Sequence, residues 1–324
     1  MANEFPHIYD ADEILRELSY VGINSKYTGD LKEKAVSVIE DELGCVKRQG
    51  SASGYLVLIN ALKEVGALET AEEFAVGGIF ASSLISYATG LSDIEPLNSK
   101  PKLYSEFFFG IHNNRMPSFE LIVSADLLNR LMEYFDNYPG EEPVERKYDP
   151  QDQCTSVYIG EIEEETIENV TFNNTFHIDF KSIEDEEGFH NELMSNDVID
   201  ASHPKTYADY VKCYGLKHGT GVWENNAEIL MHEGKVPFND LIAHREDVYE
   251  YLLERELDRN TAYEIAEYVR KGMAYRYGLK PEMKEALDKA DVAPWFIGCC
   301  EKIRYLPSRA NAMALYSKYY KELL

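Results

Sequence analysis

No run of apolar residues in this chain approaches the length needed to cross a bilayer, and the first residues, Met1-Ala-Asn-Glu-Phe-Pro-His7, lack the charged-then-apolar pattern of a secretory signal. A cytoplasmic location without membrane partners is the default expectation. Cysteine is scarce as well. The five present, Cys45, Cys154, Cys213, Cys299 and Cys300, are odd in number and scattered, which suits reduced thiols better than a disulfide framework. None has metal-ligand spacing. The eight histidines form no zincin or His-x-His pattern, and no serine sits in a nucleophile-elbow context. Internal repeats and low-complexity segments are also missing.

Positive charge is the largest deficit: 32 Lys and Arg stand against 58 Asp and Glu, a formal net charge of −26. A chain this acidic opposes a polyanion unless its charge is segregated. Here it is segregated. Residues 161–200 hold thirteen acids and a single base, Lys181, whereas residues 201–324 hold nineteen acids and eighteen bases. The plainest reading of the acidic excess is a solvated surface that maintains solubility.

What remains is a composition suited to folding, 44% apolar and 12% aromatic over 324 residues, enough for one large core or two moderate ones. Helical patterns run over 11–20, 30–43 and 125–135, the last with Ser124 as its N-cap. Residues 138–153, rich in proline and turn formers, read as a surface connection. The segments 155–162 and 171–180 alternate β-formers with polar residues, as half-buried antiparallel strands do. After Thr206 the pattern is helix after short turn: 206–214, 224–232, 245–256, 260–271, 282–290, 295–304 and 309–323. The expected fold is α+β, with a mixed region over 1–200 and an all-α region over 201–324. Trp223 and Trp295 then serve as aromatic anchors between helices.

Several motifs narrow this further. From His203 the chain reads His-Pro-Lys-Thr-Tyr-Ala-Asp-Tyr-Val211, then Tyr214-Gly-Leu-Lys-His-Gly-Thr-Gly-Val-Trp223. Ile242-Ala-His-Arg-Glu-Asp-Val248, Glu267-Tyr-Val-Arg-Lys-Gly272 and Val292-Ala-Pro-Trp-Phe-Ile-Gly-Cys-Cys-Glu-Lys-Ile-Arg-Tyr305 follow. This succession resembles the fingers domain of PolC-type DNA polymerase III alpha subunits, in order and near spacing. Upstream, Leu15-Arg-Glu-Leu-Ser-Tyr-Val-Gly22, Ser82-Ser83-Leu-Ile-Ser-Tyr87, Gly90-Leu-Ser-Asp-Ile-Glu-Pro-Leu97, Tyr104-Ser-Glu-Phe107 and Phe176-His-Ile-Asp-Phe-Lys-Ser-Ile183 are similar to the palm of the same family. The implied fold is a degenerate palm-like α/β region followed by a fingers-like helical region.

Nucleotidyl transfer in such a family implies two divalent cations held by clustered carboxylates. The segment Met116-Pro-Ser-Phe-Glu-Leu-Ile-Val-Ser124 resembles the metal-binding strand, but a Pro-Asp-x-Asp pattern is replaced by Ser118 and Glu120. The third aspartate position falls loosely at Asn191. The glycine- and serine-rich loop that cradles phosphates in the family shrinks to Gly78-Ile-Phe-Ala81, which reads as core packing. Where the family has zinc-binding cysteines, this chain has Lys100-Pro-Lys-Leu103. The family's Lys-Ala-His helix corresponds to Arg309-Ala-Asn311. The resemblance therefore implies a polymerase relative without catalytic residues or cofactors, in contact with DNA at low affinity or with replication proteins. Nucleic-acid contact would fall to Lys217, Arg270, Lys271, Arg304 and Arg309. The alternative is a residual DNA-directed DNA polymerase, needing Mg²⁺, whose site is rebuilt from Glu120 and neighbouring acids, with Asp126 and Asp179 as candidates, or is completed by another chain. A purely structural mimic of the polymerase surface is a third option. Oligomeric state is not encoded legibly.

Overall fold

The computed structural model describes residues 6–69, 74–109, 119–150, 153–162, 164–167, 170–173, 175–183 and 186–319. The chain divides into two compact units, Met1–Glu186 and Glu187–Leu324, so the division falls earlier than residue 200. Among the described residues no helix is long and apolar enough to cross a membrane.

Unit 1 contains helices α1 (Ala11–Lys26), α2 (Gly29–Gln49), α3 (Ala52–Glu64), α4 (Leu84–Ala88), α5 (Glu106–Phe109) and α6 (Ala125–Asp136). Its strands are β1 (Phe74–Val76), β2 (Phe119–Ser124), β3 (Val144–Asp149), β4 (Cys154–Ile159), β5 (Glu164–Ile167), β6 (Val170–Asn173) and β7 (His177–Ile183). The main sheet has the order β1-β2-β7-β4-β3, with β2 and β7 parallel and the other pairs antiparallel. A separate hairpin pairs β5 with β6. Residues 138–153 are thus more than a connection. Val144–Asp149 forms the exposed edge strand, its ladder with β4 supplied by a charged sequence, Val-Glu-Arg-Lys-Tyr-Asp, that offers no apolar face to read.

Period-2 alternation sorts the sheet into two faces. Phe119, Leu121, Val123, Val157, Ile159, Ile178 and Phe180 are buried in the core, while Glu120, Ser156, Asp179 and Lys181 stay partly exposed. Against the apolar face lies α3, whose residues from Ala52 to Ile59 are all buried. Being apolar around its whole circumference, this helix has no amphipathic stripe for a sequence reading to detect. The shortened loop is core, as expected. Phe80 stacks on Phe119 at 4.1 Å between ring centroids, and Tyr55 meets both rings edge-on at 5.4 and 5.1 Å. Ser124 caps α6 by accepting from the Leu127 amide at 3.2 Å.

Unit 2 is helical: α7 (Glu186–Met194), α8 (Asp197–Ser202), α9 (Tyr207–His218), α10 (Glu228–His232), α11 (Arg245–Glu254), α12 (Arg259–Arg270), α13 (Met273–Tyr277), α14 (Pro281–Lys289), α15 (Pro294–Cys300) and α16 (Arg309–Tyr319). Starts are set locally. Thr206 and Asp209 form a capping box, Asp258 caps α12, and Pro281 and Pro294 occupy first-turn positions of α14 and α15. The helix expected over 224–232 is shorter than the pattern suggested. Glu224 is extended and Asn225 is left-handed (φ 56°), so the chain kinks after the buried Trp223 and helix resumes only at Glu228. All five cysteines are buried, and none is in a disulfide.

Candidate functional site

On the polar face of the unit 1 sheet, Glu120 and Asp179 are register partners on β2 and β7, and Asp179 in turn pairs with Ser156 on β4. The two carboxylates therefore share one cross-strand row. Each is already engaged: Lys181 Nζ lies 3.2 Å from Glu120 Oε1, and the Ser156 hydroxyl donates to Asp179 Oδ1 at 2.5 Å. His177 Nε2 is 3.6 Å from Asp179 Oδ2, with its ring stacked on Tyr158 at 5.1 Å. Asp126 does not join the row. It occupies the first turn of α6, 85% exposed, where Arg130 takes it at 3.2 Å. Ser118 lies outside the described residues, and Asn191 is exposed on α7 in unit 2. Among the described residues no group of three or more His, Cys, Asp or Glu is arranged to hold a metal ion.

In unit 2 the five basic residues singled out by sequence have different fates. Arg309 is only 4% exposed, with its guanidinium 2.8 Å from Asp247 Oδ1 and 2.6 and 2.8 Å from the Glu250 oxygens, both acids on α11. Lys212 reaches the same Asp247 oxygen at 3.2 Å. Burial would raise the Asp247 carboxyl, but Lys212 and Arg309 hold it well below the usual range. Arg270 grips Glu267 through Nε and Nη2 at 2.8 and 3.0 Å. Burial opposes the Glu267 charge too, yet Arg270, Arg245 and Lys271 outweigh it and bring this carboxyl down to about 2. Arg309 and Arg270 are therefore structural cations. Lys217, Lys271 and Arg304 are exposed, although Lys217 also bonds Asp197 at 2.6 Å and Lys271 approaches Glu267 at 3.3 Å.

Three distant segments meet around the exposed cations. Thr220 and Tyr305 form an isolated antiparallel bridge, with the Arg304 amide donating to the Thr220 carbonyl at 2.8 Å. The Leu306 amide donates to the Arg270 carbonyl at 3.2 Å. Two glycines allow this approach. A Cβ on Gly221 (φ 74°) would lie 2.4 Å from the Lys302 carbonyl oxygen, and one on Gly272 (φ 67°) would lie 2.3 Å from that of Arg304. The result is a cleft of about 640 Å³ whose lining includes Lys217, Lys302, Arg304, Trp223 and Tyr275. Sequence reasoning named two of these cations and missed Lys302 and Tyr275. The turn glycines Gly221 and Gly272 were the available signal, since each marks a point where another backbone comes close.

Residues 13–180, more than half of the chain, match the family described as the bacterial DNA polymerase III alpha NTPase domain. The chain belongs to this DNA polymerase III alpha family. Among individual proteins, PolC-type DNA polymerase III of Halalkalibacterium halodurans is 40% identical over 117 residues, covering 36% of this chain and 8% of the relative. The corresponding protein of Lactococcus lactis is 37% identical over 136 residues, 40% of this chain and 8% of that protein. That of Bacillus subtilis is 36% identical over 117 residues, again with 8% of its length covered. The matched segment of this DNA polymerase III alpha relative is thus a small fraction of the length of the curated proteins.

Proposed function

We propose that this chain is a catalytically inactive member of the DNA polymerase III alpha family that retains a weak nucleic-acid contact through unit 2. The observation that carries the first half is the Lys181 ammonium 3.2 Å from Glu120. Two-metal catalysis needs several carboxylates free to ligate divalent cations. At this row the charge of Glu120 is balanced by an amine, Asp179 is held by the Ser156 hydroxyl, and the neighbouring position 118 carries serine. Neither the reduced Gly78–Ala81 loop nor Lys100–Leu103 supplies a replacement ligand. The second half rests on the exposed cations Lys217, Lys271 and Arg304. Residues 201–324 hold nineteen acids and eighteen bases, so counterion release through a few such residues gives low affinity that falls with salt. DNA is the partner that the family relationship makes first to test, with replication proteins as the other class.

Primer extension at high protein concentration, with Mg²⁺ or with Mn²⁺, should give no incorporation. Metal-dependent extension that disappears in Glu120→Ala would establish a residual polymerase instead. For binding, log affinity against log salt should have a modest negative slope, reduced in the Lys271→Ala/Arg304→Ala double variant. Salt-insensitive tight binding would contradict this electrostatic account.

A further inference from the structure

In this strongly acidic chain, residues 268–281 contain four bases and no acid, and residues 302–309 contain three bases and no acid. The fold brings these two stretches together, with Gly272 against the Arg304 carbonyl and Leu306 bonded to Arg270. The same stretches carry the exposed tyrosines of unit 2 among the described residues: Tyr275 is 50% exposed, Tyr277 73% and Tyr305 46%. Large exposed aromatics need a reason when other rings in this unit, such as Tyr249 and Tyr316, are fully buried. Tyr275 is also held in place. The Arg304 guanidinium lies over its ring, 5.1 Å from the centroid, at the lip of the 640 Å³ cleft.

An exposed ring beside exposed Lys302 and Arg304 has the chemistry of a single-strand platform. Bases stack on aromatic faces regardless of sequence, and cations track the phosphates. In a duplex those faces are already occupied by neighbouring bases, so rings of this kind discriminate in favour of unpaired nucleotides. We infer that the lip of this cleft, formed by Tyr275 with Lys302 and Arg304, binds single-stranded nucleic acid in preference to duplex. The inference rests on the nucleic-acid contact proposed above and narrows its ligand. The acids that line the cleft, Asp197, Glu224 and Glu301, all lie outside the two acid-free stretches, and Asp197 is already bonded to Lys217.

Fluorescence anisotropy with the full chain, a labelled single strand of about 20 nucleotides and the duplex of the same sequence tests this directly. Single strand should bind tighter. Tyr275→Ala should lower single-strand affinity by about tenfold with the salt slope unchanged, because stacking releases no counterions. Tyr275→Phe should restore it, since the ring is kept. Lys302→Ala with Arg304→Ala should lower the slope instead. Equal or tighter duplex binding, a Tyr275→Ala variant that binds like the parent, or complete displacement of the strand by polyglutamate would each overturn the single-strand platform while leaving a general anion contact standing. No binding of either form at low salt would sink the nucleic-acid reading itself.

Discussion

Arg309 shows how a residue's type and its task can part. The sequence reading expected it among the nucleic-acid contacts, yet its guanidinium is enclosed by Asp247 and Glu250 and its own amide donates to Glu246 at 3.0 Å. Removing one partner of a buried ion pair leaves the others uncompensated, at a cost of about 3 to 5 kcal/mol. Arg309→Ala should therefore lower stability to denaturant by that order without changing the salt dependence of nucleic-acid binding. Arg309→Lys should fall between, since an ammonium keeps the charge but cannot span both carboxylates as a fork. A folded Arg309→Ala with normal stability and weakened binding would place this residue on the ligand instead.

Among the elements, helix contacts turn on single glycines. A Cβ on Gly22 of α1 would lie 2.0 Å from the Ala88 carbonyl oxygen at the end of α4, and a backbone carbonyl cannot step aside as a side chain can. Gly22→Ala should therefore cost about 1 to 3 kcal/mol by forcing α1 from α4. Gly44 in α2 is the counter-case. Its added Cβ would meet only the Arg48 Nη1 at 3.5 Å, so Gly44→Ala should stabilise the unit by up to about 1 kcal/mol through helix propensity. Paired urea titrations of the two variants check both signs at once. The sequence placed α1, α2 and α6 correctly because each has a polar side and an apolar side. It missed α3, which is apolar on every side, and the β3 edge strand, whose charged residues carry no apolar alternation.

At the scale of the whole molecule, the two units should answer pH in opposite directions. In unit 1, Glu42 is fully buried with no cation beside it, accepting from the Ser83 hydroxyl and from the Leu84 and Ile85 amides at 2.7 to 2.8 Å. Burial outweighs these bonds and pushes its carboxyl up to about 7. With an unfolded value near ~4.3, the folded state holds this proton more tightly, so stability falls as pH rises from about 4.3 to 7, by roughly 3 kcal/mol at most. In unit 2, Glu267 sits at about 2 when folded, so its contribution is present above about 4.3 and is lost as pH falls towards 2. Hydrogen exchange, corrected for intrinsic rates, should show protection around α2 and α4 weakening between pH 5 and 7 while that of α12 holds. Glu42→Gln should flatten the unit 1 response. Loss of protection in both units together across that window would refute the assignment to Glu42.

By itself the sequence determined the family resemblance and the order of most helices, and it shows serine at position 118 and glutamate at 120, because motifs and amphipathic periods are local along the chain. Burial and partnership were decided only in three dimensions. Lys181 reaches Glu120 because β2 and β7 are parallel neighbours, a pairing between segments about sixty residues apart that no local pattern encodes. For the same reason Arg309 became an internal cation, Arg270 a partly buried one and Arg304 an exposed one, although all three are the same residue type in similar helical or turn contexts. Which arginine faces carboxylates and which faces solvent depends on the packing of α11, α12 and the 302–306 segment, and packing is a property of contacts distant in sequence.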